Sequence, residues 1–224
     1  MMQKEYKDQL GETKEVFGST SIRMGPQYTY VALNMPRQLL FKYSRYKFCA
    51  KMIGEIPKVR ILELGCGEGL GTILLAENCH EVVGIDIDND AIEWAKVTLK
   101  EKSNLYFETD DFIGKTYGIF DVVVLLDVIE HIPKESEKEM FEGIVNNLSN
   151  DGYCIVGTPN ITASVYASSP SKVGHINLFD AERLRDAMSK YFKNVFMFGM
   201  NDEVVHTGFY PMCQYLLVIG CNKK

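Results

Sequence analysis

Between residues 59 and 159, short apolar runs alternate with stretches of helical period, and that alternation leaves few folds open. VRILEL (59–64) reads as a buried strand, with TILLAEN as the helix after it. EVVGIDI (81–87) reads as a second strand, DAIEWAKVTLKE as a second helix, and NLYFETDD (104–111) as a third strand. FDVVVLLDV (120–128) is apolar almost throughout, as a strand buried on both faces of a parallel sheet should be. The helix EKEMFEGIVNNL and the strand YCIVGTP follow. Strand–helix alternation of this kind implies βαβ units, with helices covering both faces of the sheet.

The last third breaks the pattern. A polar stretch, NITASVYASSPSKVGHINLF, precedes the helix AERLRDAMSKYF and the strands NVFMFGM and CQYLLVIG. The link between those strands, NDEVVHTGFYP, is too short for a crossover helix, so a hairpin and an antiparallel last strand are expected. The first 55 residues read as helices and loops, including RQLLFKYSRYKFCAKMI. With no internal repeat and no linker, the expectation is one domain over 1–224. In it, 1–55 forms a helical cap, 56–160 the cofactor-binding core, and 161–224 the acceptor-side segment and last strands.

Composition narrows the function classes. The 224 residues are enough for a sizeable core, and 46% hydrophobic with 24% charged is ordinary for a globular protein. The net charge of -6, without a run of Lys and Arg, speaks against a nucleic-acid partner. The six cysteines form no CxxC pair, so a zinc ribbon or redox pair is not expected, and their use suits a reducing, cytoplasmic setting. The N-terminus lacks the apolar core of a signal peptide, and no apolar run reaches the length of a membrane span. A homodimer is compatible with this composition but is not fixed by it.

The candidate site begins with LELGCGEGLG (62–71), at the strand-to-helix turn where open α/β sheets bind ligands. No Lys-Ser or Lys-Thr follows, which argues against a P-loop, and the spacing Gly65-x-Gly67-x-Gly69 differs from the dinucleotide fingerprint. Glu63 and Glu68 would repel a pyrophosphate but suit a ligand bearing positive charge. The second strand ends in Asp86, which can accept ribose hydroxyls; the third ends in Asp110 and Asp111, placed for an adenine amine; the fourth ends in Leu126 and Asp127. A ligand with a ribose, an exocyclic amine and a cation, but no phosphate, fits S-adenosylmethionine. Each carboxylate also has a plainer reading as a solvated strand end.

ILELGCGEG, GIDID, the TDD turn and FDVVVLLDVIEHIP, in that order, resemble the motif series of class I S-adenosylmethionine-dependent methyltransferases. The resemblance covers roughly 42–159 and is strongest to the ubiquinone-biosynthesis O-methyltransferase group and its relatives acting on sugars and natural products. It implies an α/β, Rossmann-like three-layer sandwich, whose seven-stranded, mostly parallel sheet has an antiparallel last strand. It also implies roles. Glu63 and Gly65 would hold the methionine end, with Cys66, Gly67 and Gly69 in the loop. Asp86 would bind the ribose, Ile87 would pack on the adenine, and Asp110 or Asp111 would accept from its amine. Leu126 and Asp127 would border the amino-acid part, and Arg45 would meet the cofactor carboxylate.

On the acceptor side, DVIEHIP (127–133) follows the fourth strand, and His131 is the candidate general base because imidazole titrates near neutrality. His131 also has a packing role as its competitor. In some relatives Asp127, Glu130 and His131 would match an acidic-x-x-Glu-His metal motif. Here the first residue is Asp, and neighbours in sequence need not converge, so no metal is expected. Asn160, Tyr166 and His175 in the long polar stretch, His206 in the final hairpin, and Tyr28 and Tyr30 in the cap are candidate acceptor residues. Such polar groups favour a hydroxyl-rich acceptor, a sugar or surface-polysaccharide precursor, with a quinone or phenolic precursor second and N-methylation of a small molecule also open. A NAD-dependent oxidoreductase and a cofactor-binding module without turnover are the alternatives of other classes.

Overall fold

The computed structural model describes residue 14 and residues 21–54, 58–77 and 79–224. Residues 1–13, 15–20 and 55 of the expected cap lie outside the described residues, as does residue 78 at the end of TILLAEN. Eight strands form one sheet: β1 (Arg60–Leu64), β2 (Glu81–Asp86), β3 (Leu105–Thr109), β4 (Phe120–Leu126), β5 (Leu148–Pro159), β6 (Phe192–Asn201), β7 (Val204–His206) and β8 (Tyr215–Lys223). Their order is β3-β2-β1-β4-β5-β8-β6-β7. The pairs among β1 to β5 are parallel, whereas β8 runs antiparallel to both β5 and β6.

The expected seven strands are therefore present, with the last one inverted. An eighth, β7, is made where the final hairpin doubles back on the edge of β6. Three residues of strand carry too little period to be read from sequence.

Alternation along the strands divides the core in two. Ile61, Val122, Val124, Ile155 and Leu217 face one side, with Tyr46, Phe48, Cys49 and Ile53 of the N-terminal helices. Leu62, Val123, Leu125, Val156 and Val218 face the other, with Met140, Phe141, Ile144, Leu184 and Met188. Both faces of the central strands are buried, which is why they read as unbroken apolar runs. Each fully buried Leu or Ile contributes about 1.5–3 kcal/mol over its exposed state.

The helices are α1 (Pro26–Asn34), α2 (Pro36–Ile53), α3 (Thr72–Leu75), α4 (Asn89–Thr98), α5 (Glu137–Asn147), α6 (Ser169–Gly174) and α7 (Ala181–Ser189). Pro26 and Pro36 open the first two, where a missing N–H costs nothing. Asp88 caps α4 by accepting from the amides of Asp90 and Ala91, and Asp180 caps α7 by accepting from that of Arg183. No helix among the described residues is long and apolar enough to cross a membrane.

In this strand order the direction of winding reverses between β1 and β4. The loops leaving their carboxyl ends diverge there and leave a crevice. The glycine loop after β1 and Asp127 after β4 both lie at that crevice.

Candidate active site at the β1 and β4 crevice

Tight turning shapes the glycine loop. Gly65 has φ +82, and a Cβ on it would lie 2.2 Å from Val128 Cγ2, so no larger residue fits. Gly67 has φ +55, yet a Cβ there would meet nothing within 4 Å, so this part of the loop faces open space. Its N–H donates to Asp86 Oδ2 at 2.7 Å, and the Asp88 N–H donates to Asp86 Oδ1 at 2.9 Å. Asp86 is thereby fixed at the end of β2 with lone pairs remaining for a ligand.

A cavity of about 160 Å³ opens between the loop and the cap, lined by Gln27, Tyr28, Lys42, Tyr46, Gly65, Cys66, Gly67, Asp86, Leu126 and Asp127. Ligand pockets run from about 300 Å³ upward. This enclosure therefore suits one end of a nucleoside-bearing ligand, with the rest lying along the open strand edge. Ile87, 71% exposed, stands on that edge.

The two glutamates of LELGCGEGLG do not face this cavity. Glu63 is buried on β1, where Tyr46 Oη donates to Oε1 at 2.7 Å and Thr72 Oγ1 donates to Oε2 at 2.6 Å. Burial raises its pKa to about 7 against the opposing pull of those two hydrogen bonds. Glu63 thus sets the position of Tyr46, which does line the cavity, rather than meeting a ligand itself. Glu68 accepts from the amides of Gln27 (2.7 Å) and Tyr28 (3.0 Å) and so ties the start of α1 to the loop. The carboxylates that line the cavity are Asp86 and Asp127.

Asp127 has φ 58, uncommon for a residue with a side chain. Both its oxygens accept from Arg45 Nη1, at 2.7 and 2.5 Å, and the guanidinium lies 3.8 Å from the Tyr215 ring centroid. Burial disfavours the Arg45 cation, but Asp127 and Tyr215 outweigh it and raise the pKa. Arg45 is thus paired with Asp127, which borders the cavity, and is not itself among the residues lining it; its Nε is buried with no partner among the described residues.

Asp110 and Asp111 are also engaged locally. Asp110 accepts from Lys115 and from Tyr117 Oη (2.9 Å), and those hydrogen bonds hold its pKa down. Asp111 accepts from the Ile113 amide at 3.2 Å. Neither borders the cavity, nor does Gly69.

Beyond Asp127, a short turn (Ile129–His131) brings out Glu130 and His131. Glu130 is fully buried; Oε2 accepts from Thr158 Oγ1 at 2.9 Å, while Oε1 has no partner among the described residues. Burial, then Asp127, raises its pKa to about 8. His131 Nδ1 lies 2.8 Å from the Gly174 carbonyl oxygen. A carbonyl only accepts, so Nδ1 carries the proton and the Nε2 lone pair is left for chemistry. His175 meets the His131 ring edge to face, with centroids 5.0 Å apart. Burial, then the neighbouring His131, lower the pKa of His175.

Ligand atoms of Glu130, His131 and His175 all lie within 4.8 Å of one another. Of Asp127, Glu130 and His131, only the last two belong to this group; the loop after β5 returns through α6 and adds His175 in place of Asp127. A carboxylate with two imidazoles is a donor set suited to a divalent transition metal. A carboxyl oxygen of Glu130 and one ring nitrogen from each histidine fit such an ion.

His175 also borders a second cavity of about 490 Å³, whose walls include Pro159, Ala163, Tyr166, Ala167, Lys172 and Leu178. Asn160 touches this cavity but is otherwise occupied: Nδ2 donates to the carbonyls of Tyr210 (2.8 Å) and Cys213 (3.0 Å), which locks the loop. Tyr166 is 89% exposed at its rim. Tyr28 belongs to the first cavity instead. Tyr30 is exposed and borders neither cavity. His206 sits on β7 beside Cys213 Sγ at 3.7 Å, likewise outside both.

Lys42, Tyr46, Thr158 and Tyr215 escaped the reading of the sequence. For the first two a signal existed: Lys42, Arg45, Tyr46 and Cys49 recur at helical spacing and share a face of α2.

Comparison with known proteins bears on the family and the fold. A family model described as a methyltransferase domain matches residues 32–192. The chain is 34% identical over 119 residues to a ubiquinone biosynthesis O-methyltransferase of Rickettsia conorii, covering 52% of this chain and 40% of that one. It is 32% identical over 120 residues to a phosphoethanolamine N-methyltransferase of Triticum aestivum, covering 52% of this chain and 22% of the relative. The chain spans about half the length, or less, of the curated relatives it matches. Among solved structures, the N-methyltransferase NodS of Bradyrhizobium japonicum WM9, in complex with S-adenosyl-L-homocysteine, superposes with a TM-score of 0.58 at 20% identity. That match covers 84% of this chain and 85% of the other, and it is a likeness of fold.

Proposed function

This chain belongs to the S-adenosylmethionine-dependent methyltransferase-domain family, and on that premise we propose that it methylates a hydroxyl oxygen of a phenolic or quinol-type small molecule. The arrangement that carries the proposal is the Glu130–His131–His175 cluster. Its His175 borders the second cavity, whose wall is largely apolar, and its Glu130 feels the charge of Asp127, which borders the first cavity with Asp86. The sequence favoured a sugar or polysaccharide acceptor. The curated relatives named for ubiquinone biosynthesis, and walls of Pro159, Ala163 and Leu178 suited to a flat ring, reverse that order.

S-adenosylmethionine supplies a methyl group on a cationic sulfur that leaves as a neutral thioether. Asp86 takes the ribose hydroxyls, Ile87 covers the adenine, and Gly65, Cys66, Gly67 and Leu126 enclose the amino-acid end. Asp127 meets the positive charge there. Glu63 acts behind the cavity by holding Tyr46. Asp110 and Asp111 keep lone pairs for the adenine amine beside their local partners. Residues 56–160 carry most of the cofactor side and, through Glu130, His131 and Pro159, part of the acceptor side, which 161–224 completes.

His131 Nε2 takes the proton of the acceptor hydroxyl, and Gly174 holds the ring in the tautomer that can do so. Orientation of the two reactants supplies much of the remaining rate.

A second reading of the same residues rests on the unpartnered Oε1 of Glu130. A divalent cation held by Glu130, His131 and His175 would lower the acceptor hydroxyl's pKa as a Lewis acid. In that case His131 is a ligand rather than the base.

Incubation with a methyl-labelled cofactor and a panel of catechols, phenols, amines and nucleotide sugars tests the acceptor class. Label recovered as a phenolic methyl ether is expected. Label recovered only on sugar hydroxyls or on nitrogen overturns the proposal.

A further inference from the structure

We propose that Lys172 and Gln214 form a subsite for an anionic group, a carboxylate or a phosphate, carried by the acceptor; this rests on the acceptor reading above. The chain as a whole is acidic, with a net charge of -6. Yet no Asp or Glu is among the residues lining the acceptor cavity of about 490 Å³, whereas Lys172 is. Among the described residues Lys172 forms no ion pair. An unpaired ammonium at a cavity without carboxylates favours an anion there.

The carboxamides of the cavity add to this bias. Gln214 Oε1 accepts from the Asp202 N–H at 3.2 Å, which orients the amide and leaves the two donors of Nε2 to a ligand. Asn160 Oδ1 already accepts from the Thr162 amide at 3.3 Å. A hydroxyaryl ring with one anionic substituent uses the whole cavity: the ring lies on Pro159, Ala163 and Leu178, and the substituent meets Lys172 and Gln214.

Backbone contacts tie this subsite to the histidines. The amides of Lys172 and His175 donate to the carbonyls of Ser168 and Ser171, each at 2.9 Å, so the two side chains stand three residues apart on one helical turn. His175 meets His131, and Gly174 of the same turn holds His131 Nδ1. The Gln214 carbonyl accepts from the Asn160 amide at 3.0 Å, at the other end of the loop. The loop after β5 thus sets both the tautomer of His131 and the place of the anionic group.

The test compares kcat/KM of the full chain for 3,4-dihydroxybenzoate, 3,4-dihydroxyphenylphosphonate and the neutral 3,4-dihydroxybenzamide. At least one anion should exceed the amide about ten- to hundredfold, the worth of a charge-assisted contact, and the better one tells carboxylate from phosphate. Lys172→Met should abolish that preference through KM and leave the amide unchanged. Gln214→Glu, which keeps an oxygen for the Asp202 amide, should weaken the anions alone. Equal kcat/KM for anions and amide, or a preference that survives Lys172→Met, overturns the assignment. A chain that methylates none of the three overturns the phenolic reading. Calorimetry with S-adenosylhomocysteine present then decides the subsite by itself: anion binding lost in Lys172→Met upholds it, and no anion binding overturns it too.

Discussion

His131 donates its Nδ1–H to the carbonyl of Gly174 at 2.8 Å, so a residue of α6 fixes which nitrogen of the histidine is basic. The loop after β5 therefore shapes the catalytic end of β4. Removing His131 should cost rate and not cofactor affinity. His131→Ala is expected to lower kcat on a phenolic acceptor about 100- to 10,000-fold, the usual worth of a general base. Calorimetry should find S-adenosylhomocysteine binding intact. Unchanged turnover removes His131 from the chemistry.

Metal dependence separates the two roles open to that histidine. If Glu130, His131 and His175 hold a divalent cation, chelation abolishes turnover, and added Mn²⁺, Mg²⁺ or Zn²⁺ restores it. Glu130→Gln and His175→Ala should then each reduce metal bound per chain by elemental analysis. Full turnover after exhaustive chelation leaves the base role alone.

The Arg45–Asp127 pair is mostly buried, with side-chain exposures of 19% and 27%. Breaking it leaves one charge uncompensated beside Glu130. Arg45→Met is expected to destabilise the fold by about 3–5 kcal/mol, and Arg45→Met with Asp127→Leu by less than the sum of the single changes. Urea unfolding of the three variants measures both quantities. Additive losses would mean that the two side chains do not act as a unit.

Glu63 makes stability depend on pH. Its pKa rises on folding from 4.5 to about 7, so the folded chain binds more protons than the unfolded chain between those values. Stability from this group is complete below pH 4.5 and is lost as pH climbs through about 7. The loss is about 3 kcal/mol at most. Glu63→Gln should flatten the decline, seen as a smaller drop in the urea midpoint between acid and neutral pH. A decline of equal size in the variant assigns it to other groups, Glu130 first.

Much of this arrangement is written locally in the chain. The central strands are buried on both sides, so their apolar runs are unbroken, and the glycines and Asp86 sit where strands must end. The inverted β8 follows from a link too short for a helix. The rest depends on contacts between distant residues. Glu63 and Glu68 look like ligand carboxylates until Tyr46, Thr72 and two amides of α1 are seen to occupy them. Asn160 looks like a pocket residue, yet its amide closes a loop onto Tyr210 and Cys213. His175 joins Glu130 and His131 through a return of more than forty residues, and no local pattern marks it.

Titrating the chain with S-adenosylhomocysteine, and separately with NAD, tests the central claim most directly. The two carboxylates bordering the crevice cavity, Asp86 and Asp127, predict saturable heat with S-adenosylhomocysteine and none with NAD. Heat with NAD alone, or with neither, would contradict the account.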